Sequence, residues 1–135
     1  MLTLKSQEFT LEAACEQVLL FLSETQNYKL LLPDNQIADF QSTPTQFSFK
    51  AAGQIHLTLE KQEANAELLH FKGASTNPFA FDLFVRMQPV QNGTQGFIEI
   101  KADVNLMLKM LIEKPLQKLL TEMAHNLAMQ LSKGQ

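Results

Sequence analysis

The chain has 135 residues, a formal net charge of −3, one cysteine and ten phenylalanines against one tyrosine and no tryptophan. That length suits a single domain over residues 1–135, able to bury roughly two-thirds of the surface its unfolded form exposes. One cysteine excludes an internal disulfide, the mild charge argues against a general nucleic-acid binder, and no apolar run reaches the ~20 residues of a membrane span.

Met1-Leu2-Thr3-Leu4-Lys5 is too short and polar for a signal peptide, so a cytoplasmic protein is expected. Leu2 and Leu4 alternate with Thr3 and Lys5, which predicts a first strand over about 2–8. Thr10 then reads as a helix cap with Glu12 near the positive end of the dipole. Leu11, Cys15, Val18 and Leu22 follow helical spacing, and this helix should end near Ser23. The stretch 27–33 is expected to hold a second short helix, stopped before Pro33.

From Ile37 the period becomes two. Strands are expected over Ile37–Ser42, around Phe47, Phe49 and Ala51, around Ile55, Leu57 and Leu59, and more weakly over 66–73. Phe79, Phe81, Leu83, Val85 and Met87 alternate with polar or outward residues, as do Ile98, Ile100, Ala102 and Val104. Turns are expected at Thr43-Pro44-Thr45, at Gly53, at Asn77-Pro78 and at Asn92-Gly93. Asn92-Gly93-Thr94 also matches a glycosylation sequon, but a tight turn with positive φ is the better account. Successive alternating segments with tight connections imply an antiparallel meander with one wet face and one buried face.

The last ~30 residues are helical by period. Leu116, Leu119, Leu120, Met123, Leu127 and Leu131 form one apolar stripe, whereas the run 106–112 is apolar on nearly every side. Pro115 between them predicts a kink or a restart.

This order of elements, with the stretch Phe21-Leu22-Ser23-Glu24-Thr25-Gln26-Asn27-Tyr28-Lys29-Leu30-Leu31-Leu32-Pro33 and the tail Leu108-Lys109-Met110-Leu111-Ile112-Glu113-Lys114-Pro115-Leu116, resembles the START-like, Bet v 1-like (SRPBCC) superfamily, and in particular its small bacterial members of the Bacteroidetes type. The resemblance covers nearly all of the chain. It implies an α+β helix-grip fold: a curved antiparallel sheet of six or seven strands wrapped around a long C-terminal helix. It also implies a cavity between sheet and helix, lined by Phe47, Phe49, Leu68, Phe79, Phe81 and Leu83 facing Met107, Met110, Leu119 and Met123. A register error of one residue would swap the faces of any strand.

The chemistry-bearing residues are sparse. His56, His70 and His125 sit on different elements without metal-ligand spacing, and no pattern requires a metal or a cofactor. His56 and His125 should face water, while His70 shares a face with Leu68. His70 is either a locally satisfied surface residue or the single polar anchor of an apolar pocket. Cys15 lies on an apolar stripe and reads as a buried structural cysteine. Asp82, Glu99 and Asp103 are expected outward beside Arg86 and Lys101, as cross-strand charge pairs. Core filling and cavity lining are both open to Met110 and Met123.

Three functions compete. The first is binding or carriage of a small apolar ligand, lipid or polyketide-like, between the sheet and the last helix. The second, which the superfamily also contains, is a cyclase or dehydratase, for which His70 is the one candidate acid or base. The third is a protein-interaction or homodimerising domain using the apolar run 106–112.

Overall fold

Inward-facing apolar residues at every second position organise most of the sheet, in the strands between residues 46 and 103. The computed structural model describes residues 2–51, 55–65 and 67–133. The strands are β1 (Leu2–Lys5), β2 (Phe9–Leu11), β3 (Ile37–Thr43), β4 (Gln46–Ala51), β5 (Ile55–Asn65), β6 (Leu68–Gly73), β7 (Ala80–Val90) and β8 (Gly93–Asp103). The helices are α1 (Cys15–Ser23), α2 (Tyr28–Leu31) and α3 (Leu106–Lys133), with a 3-10 turn at Thr25–Asn27 leading into α2. Every strand pair is antiparallel, in the order β1-β8-β7-β6-β5-β4-β3, and β2 also pairs with β8. The architecture is therefore the α+β helix-grip arrangement, with eight strand segments among the described residues.

The extra segment is β2, where a helix cap was expected. Thr10 is exposed and pairs with Gln95, while Phe9 and Leu11 turn inward and are buried. α1 starts later, after Ala14, whose N–H donates to the Gln17 side chain at 3.2 Å. The chain crosses closely here. A Cβ on Gly93 would lie 1.8 Å from the Leu11 carbonyl oxygen, so only glycine admits β2 at this point. The adjoining hairpin turns through Gln91 and Asn92, and Asn92 takes the positive φ of 69°. The turn expected at Gly53 lies outside the described residues.

The C-terminal end of α1 is held by side chains. The Asn27 amide donates to the Phe21 carbonyl at 2.9 Å, the Tyr28 hydroxyl to that of Leu22 at 2.9 Å, and the Lys61 ammonium to that of Ser23 at 2.7 Å. The last carbonyls of a helix lack the usual intrahelical donors; here the Glu24 N–H also reaches the Phe21 carbonyl at 3.4 Å, and a cation at Ser23 complements the negative end of the dipole. Tyr28 itself is fully buried, with its ring stacked on Phe47 at 4.4 Å and edge-on to Phe71 at 5.2 Å. It ties the α1–α2 corner to β4 and β6.

α3 lies across the inward face of the sheet and buries Ile112, Leu116, Leu119, Leu120, Met123, Ala124 and Leu127. Asn105 caps it, accepting from the Leu108 N–H at 2.8 Å. The helix is continuous through Pro115, so no restart occurs there. Pro115 removes the donor for the Leu111 carbonyl. Leu111 is exposed, which lets water take the place of that donor.

Tyr28 gives the fold a direct test. Tyr28→Phe leaves the Leu22 carbonyl without its donor, and urea unfolding should show a loss of about 1–3 kcal/mol. Burial also holds the phenol well above its ordinary 10.0. A raised folded-state value means full stability below about pH 10 and a loss as pH rises and the unfolded phenol ionises. Because Tyr28 is the only tyrosine, tyrosinate absorbance should appear together with loss of the helical circular dichroism signal. Ionisation at the ordinary pH with the fold intact would contradict this packing.

Candidate functional site

Six of the predicted lining residues meet where the sequence places them. Phe47, Phe49, Phe81, Leu83, Leu119 and Met123 surround one apolar space together with Leu32, Leu57, Leu59, Ile100 and Leu116. Its volume is only about 20 Å³. That is on the order of one water, far below the ~300 Å³ of a small-molecule pocket. Phe79 is buried but stands at the margin, against Phe81 at 5.5 Å.

Four predicted residues lie elsewhere. In β6 it is Leu69 and Phe71 that are fully buried, so Leu68 and His70 point to the opposite, outer face. Leu68-Leu69-His70-Phe71 offers apolar residues at both parities, and Phe71 packing edge-on to Tyr28 and Phe47 decides between them. A register shift between Lys61 and Glu63 in β5 accompanies the change. Met107 and Met110 are 75% and 74% exposed, because the buried stripe of α3 begins only at Ile112.

On the outer face His70 Nε2 lies 2.8 Å from Asp82 Oδ1, and its ring stacks on Phe84 at 4.5 Å. The Arg86 guanidinium stands 4.8 Å from the Phe84 ring and bonds Glu99 Oε1 through Nε at 3.0 Å. Asp82 and Glu99 are thus engaged in charge pairing on this face. With His70 there, the cavity holds no acid or base, and the acid–base role drawn for His70 within it fails. Cys15 is half-buried and accepts from the Thr94 hydroxyl at 3.3 Å. Among the described residues no three His, Cys, Asp or Glu side chains cluster as a metal site.

An open cleft lies beside α3. It measures about 480 Å³ and is lined by Asn35, Gln36, Ala51, Lys114, Pro115, Leu116, Lys118 and Leu119. Leu116 and Leu119 also line the apolar space, so this pair of side chains is shared by the cleft and the interior. Beyond Pro33, which follows the second short helix, Asn35 and Gln36 form the cleft's far rim, with the Gln36 N–H bonded to the Pro33 carbonyl at 3.0 Å. Sequence reading missed Asn35, Gln36, Lys114 and Lys118. The available signal was the pair of lysines four residues apart on either side of Pro115. A second open cleft of about 560 Å³ near Gly73 and Phe79 is bounded by Glu60, Lys72 and Asn77. The Asn77 amide there is already committed to the Thr58 backbone at 2.8 and 2.9 Å.

α3 also presents an apolar surface. Leu106, Met107, Met110 and Leu111 are between 68% and 75% exposed on its first two turns.

No protein-family model matches the chain, and no curated protein matches it in sequence. Solved structures do match over nearly the full length. The KanY protein superposes with a TM-score of 0.77 at 16% identity, covering 96% of this chain and 97% of that one. A START superfamily protein from Mycobacterium smegmatis gives 0.69 at 13%, covering 97% of each chain. The Aha1 dimer from Colwellia psychrerythraea gives 0.66 at 12%, covering 100% of this chain and 99% of that one. At these identities the likeness establishes the fold, which is START-like and Bet v 1-like.

Proposed function

We propose that the chain binds and carries a small apolar ligand, lipid or polyketide-like, which enters through the cleft beside α3. The observation that carries this reading is the shared wall. Leu116 and Leu119 face the open cleft on one side and the all-apolar interior on the other. The interior is filled as it stands, so an alkyl segment enters by displacing side chains. Met123 is the natural one to move, because an unbranched thioether changes rotamer at low cost. The START superfamily description of one solved neighbour agrees with a ligand-binding role. A cytoplasmic location belongs to the same reading and accords with the single free cysteine. No helix among the described residues is long and apolar enough to cross a membrane.

Displacement of a neutral fluorescent apolar probe, together with native mass spectrometry of gently purified protein, tests the proposal. Leu116→Trp, which overfills the shared wall, should weaken probe binding by about tenfold with the circular dichroism spectrum unchanged. A protein that binds no probe and carries no co-purified molecule would refute ligand carriage.

A second reading concerns assembly. Leu106, Met107, Met110 and Leu111 form a contiguous exposed apolar surface, and one solved neighbour of the same fold is described as a dimer. The occupant that fits is a second copy of this chain, packed helix against helix. Sedimentation should show a concentration-dependent dimer that the double variant Met107→Glu/Leu111→Glu converts to monomer. A wild-type protein that stays monomeric up to millimolar concentration would remove this reading.

A further inference from the structure

We infer that the ligand of the cleft beside α3 carries a single anionic head group, seated between Lys114 and Lys118, with its alkyl chain running past Pro115 toward Leu116 and Leu119. This rests on the proposal that the cleft takes an apolar ligand, and adds what the other end of that ligand must be.

Lys114 and Lys118 are four residues apart on one helix, which puts both on the same face about one turn apart. Both line the cleft, and no carboxylate does. Among the described residues the ion pairs are Lys50–Asp39, His70–Asp82 and Arg86–Glu99, so neither lysine is paired. Glu122, one turn beyond Lys118, lies outside ion-pair distance. Like charges at this spacing repel and weaken a helix slightly. A bound anion removes that repulsion and receives two ammonium groups at once.

The rest of the lining sorts the ligand by polarity. Asn35 and Gln36 on the facing rim supply neutral amide donors, while Ala51, Pro115, Leu116 and Leu119 are apolar. Pro115, between the two lysines, has no N–H to offer. Polar and cationic groups therefore gather at the mouth, and the inner wall can take only hydrocarbon. The protein as a whole is negative, at −3, so attraction of an anion here is local to this pair of lysines. Carboxylate and phosphate monoester heads share this chemistry.

Titration with four amphiphiles of one chain length, below their micelle-forming concentrations, separates the possibilities: dodecanoate, dodecyl phosphate, dodecanol and dodecyltrimethylammonium. The expected order puts one or both anions about tenfold tighter than the alcohol, with the cation weakest. Which anion binds tighter tells carboxylate from phosphate. Lys114→Gln/Lys118→Gln should cut anion affinity about fivefold and leave dodecanol unchanged, while Lys114→Arg/Lys118→Arg should retain anion binding. Added salt should weaken the anions alone. Equal binding of all four, untouched by the glutamine variant, would overturn the head-group inference and leave apolar binding standing. No binding of any of them would overturn both.

Discussion

Cover of the inward face of the sheet by α3 is the constraint on which everything else depends. Phe47, Phe49, Leu57, Leu59, Phe81, Leu83 and Ile100 project from the sheet, and Leu116, Leu119 and Met123 come down from the helix between them. Each such side chain contributes about 1.5–3 kcal/mol on leaving water, so the helix and sheet need each other. Tyr28 extends this contact sideways through Phe47 and Phe71 and anchors the short helices at the same time. The two unusual surfaces follow from where the cover ends. The first turns of α3 precede the buried stripe and leave Leu106, Met107, Met110 and Leu111 in water. Farther along, the helix and the turn at Asn35 and Gln36 stand apart, and the cleft lies between them.

A filled interior is compatible with ligand carriage, and the magnitudes explain why. Keeping a void of ~300 Å³ empty would cost about 7 kcal/mol at ~24 cal/mol per Å³, which is comparable with the whole stability of a small domain. Water does not relieve that cost when every lining atom is apolar, as here. An apolar carrier without cargo therefore gains by collapsing onto itself. Under the proposed ligand carriage, such a carrier needs a side chain that can change rotamer and an open approach; Met123, which lines the apolar space, fits the first and the cleft beside Leu116 and Leu119 the second.

Much of this fold was legible in the sequence because alternation is a strong signal over five or more residues. β4, β7 and β8 repeat apolar residues at one parity over their length, despite Phe84 and Phe97 on the outer face, and turned the expected faces inward. β2 has three residues, too few for a period to show, and exists because β8 offers it an edge. β6 has apolar residues at both parities, so local pattern does not choose a face; contact with Tyr28 does. The all-apolar start of α3 reads the same whether enclosed or protruding, and protrusion is what the geometry shows. The cleft was the least legible feature of all. Asn35 and Gln36 meet Lys114 and Lys118 only through the fold, and none of the four belongs to a recognisable motif.

The most direct measurement is methyl-resolved NMR during titration with a neutral alkyl probe. The account predicts that the methyls of Leu116, Leu119 and Met123 shift first and together, while those of Leu68 on the outer face stay still. Shifts confined to the outer face, or to Met107 and Met110 on the protruding turns, would contradict entry through the cleft.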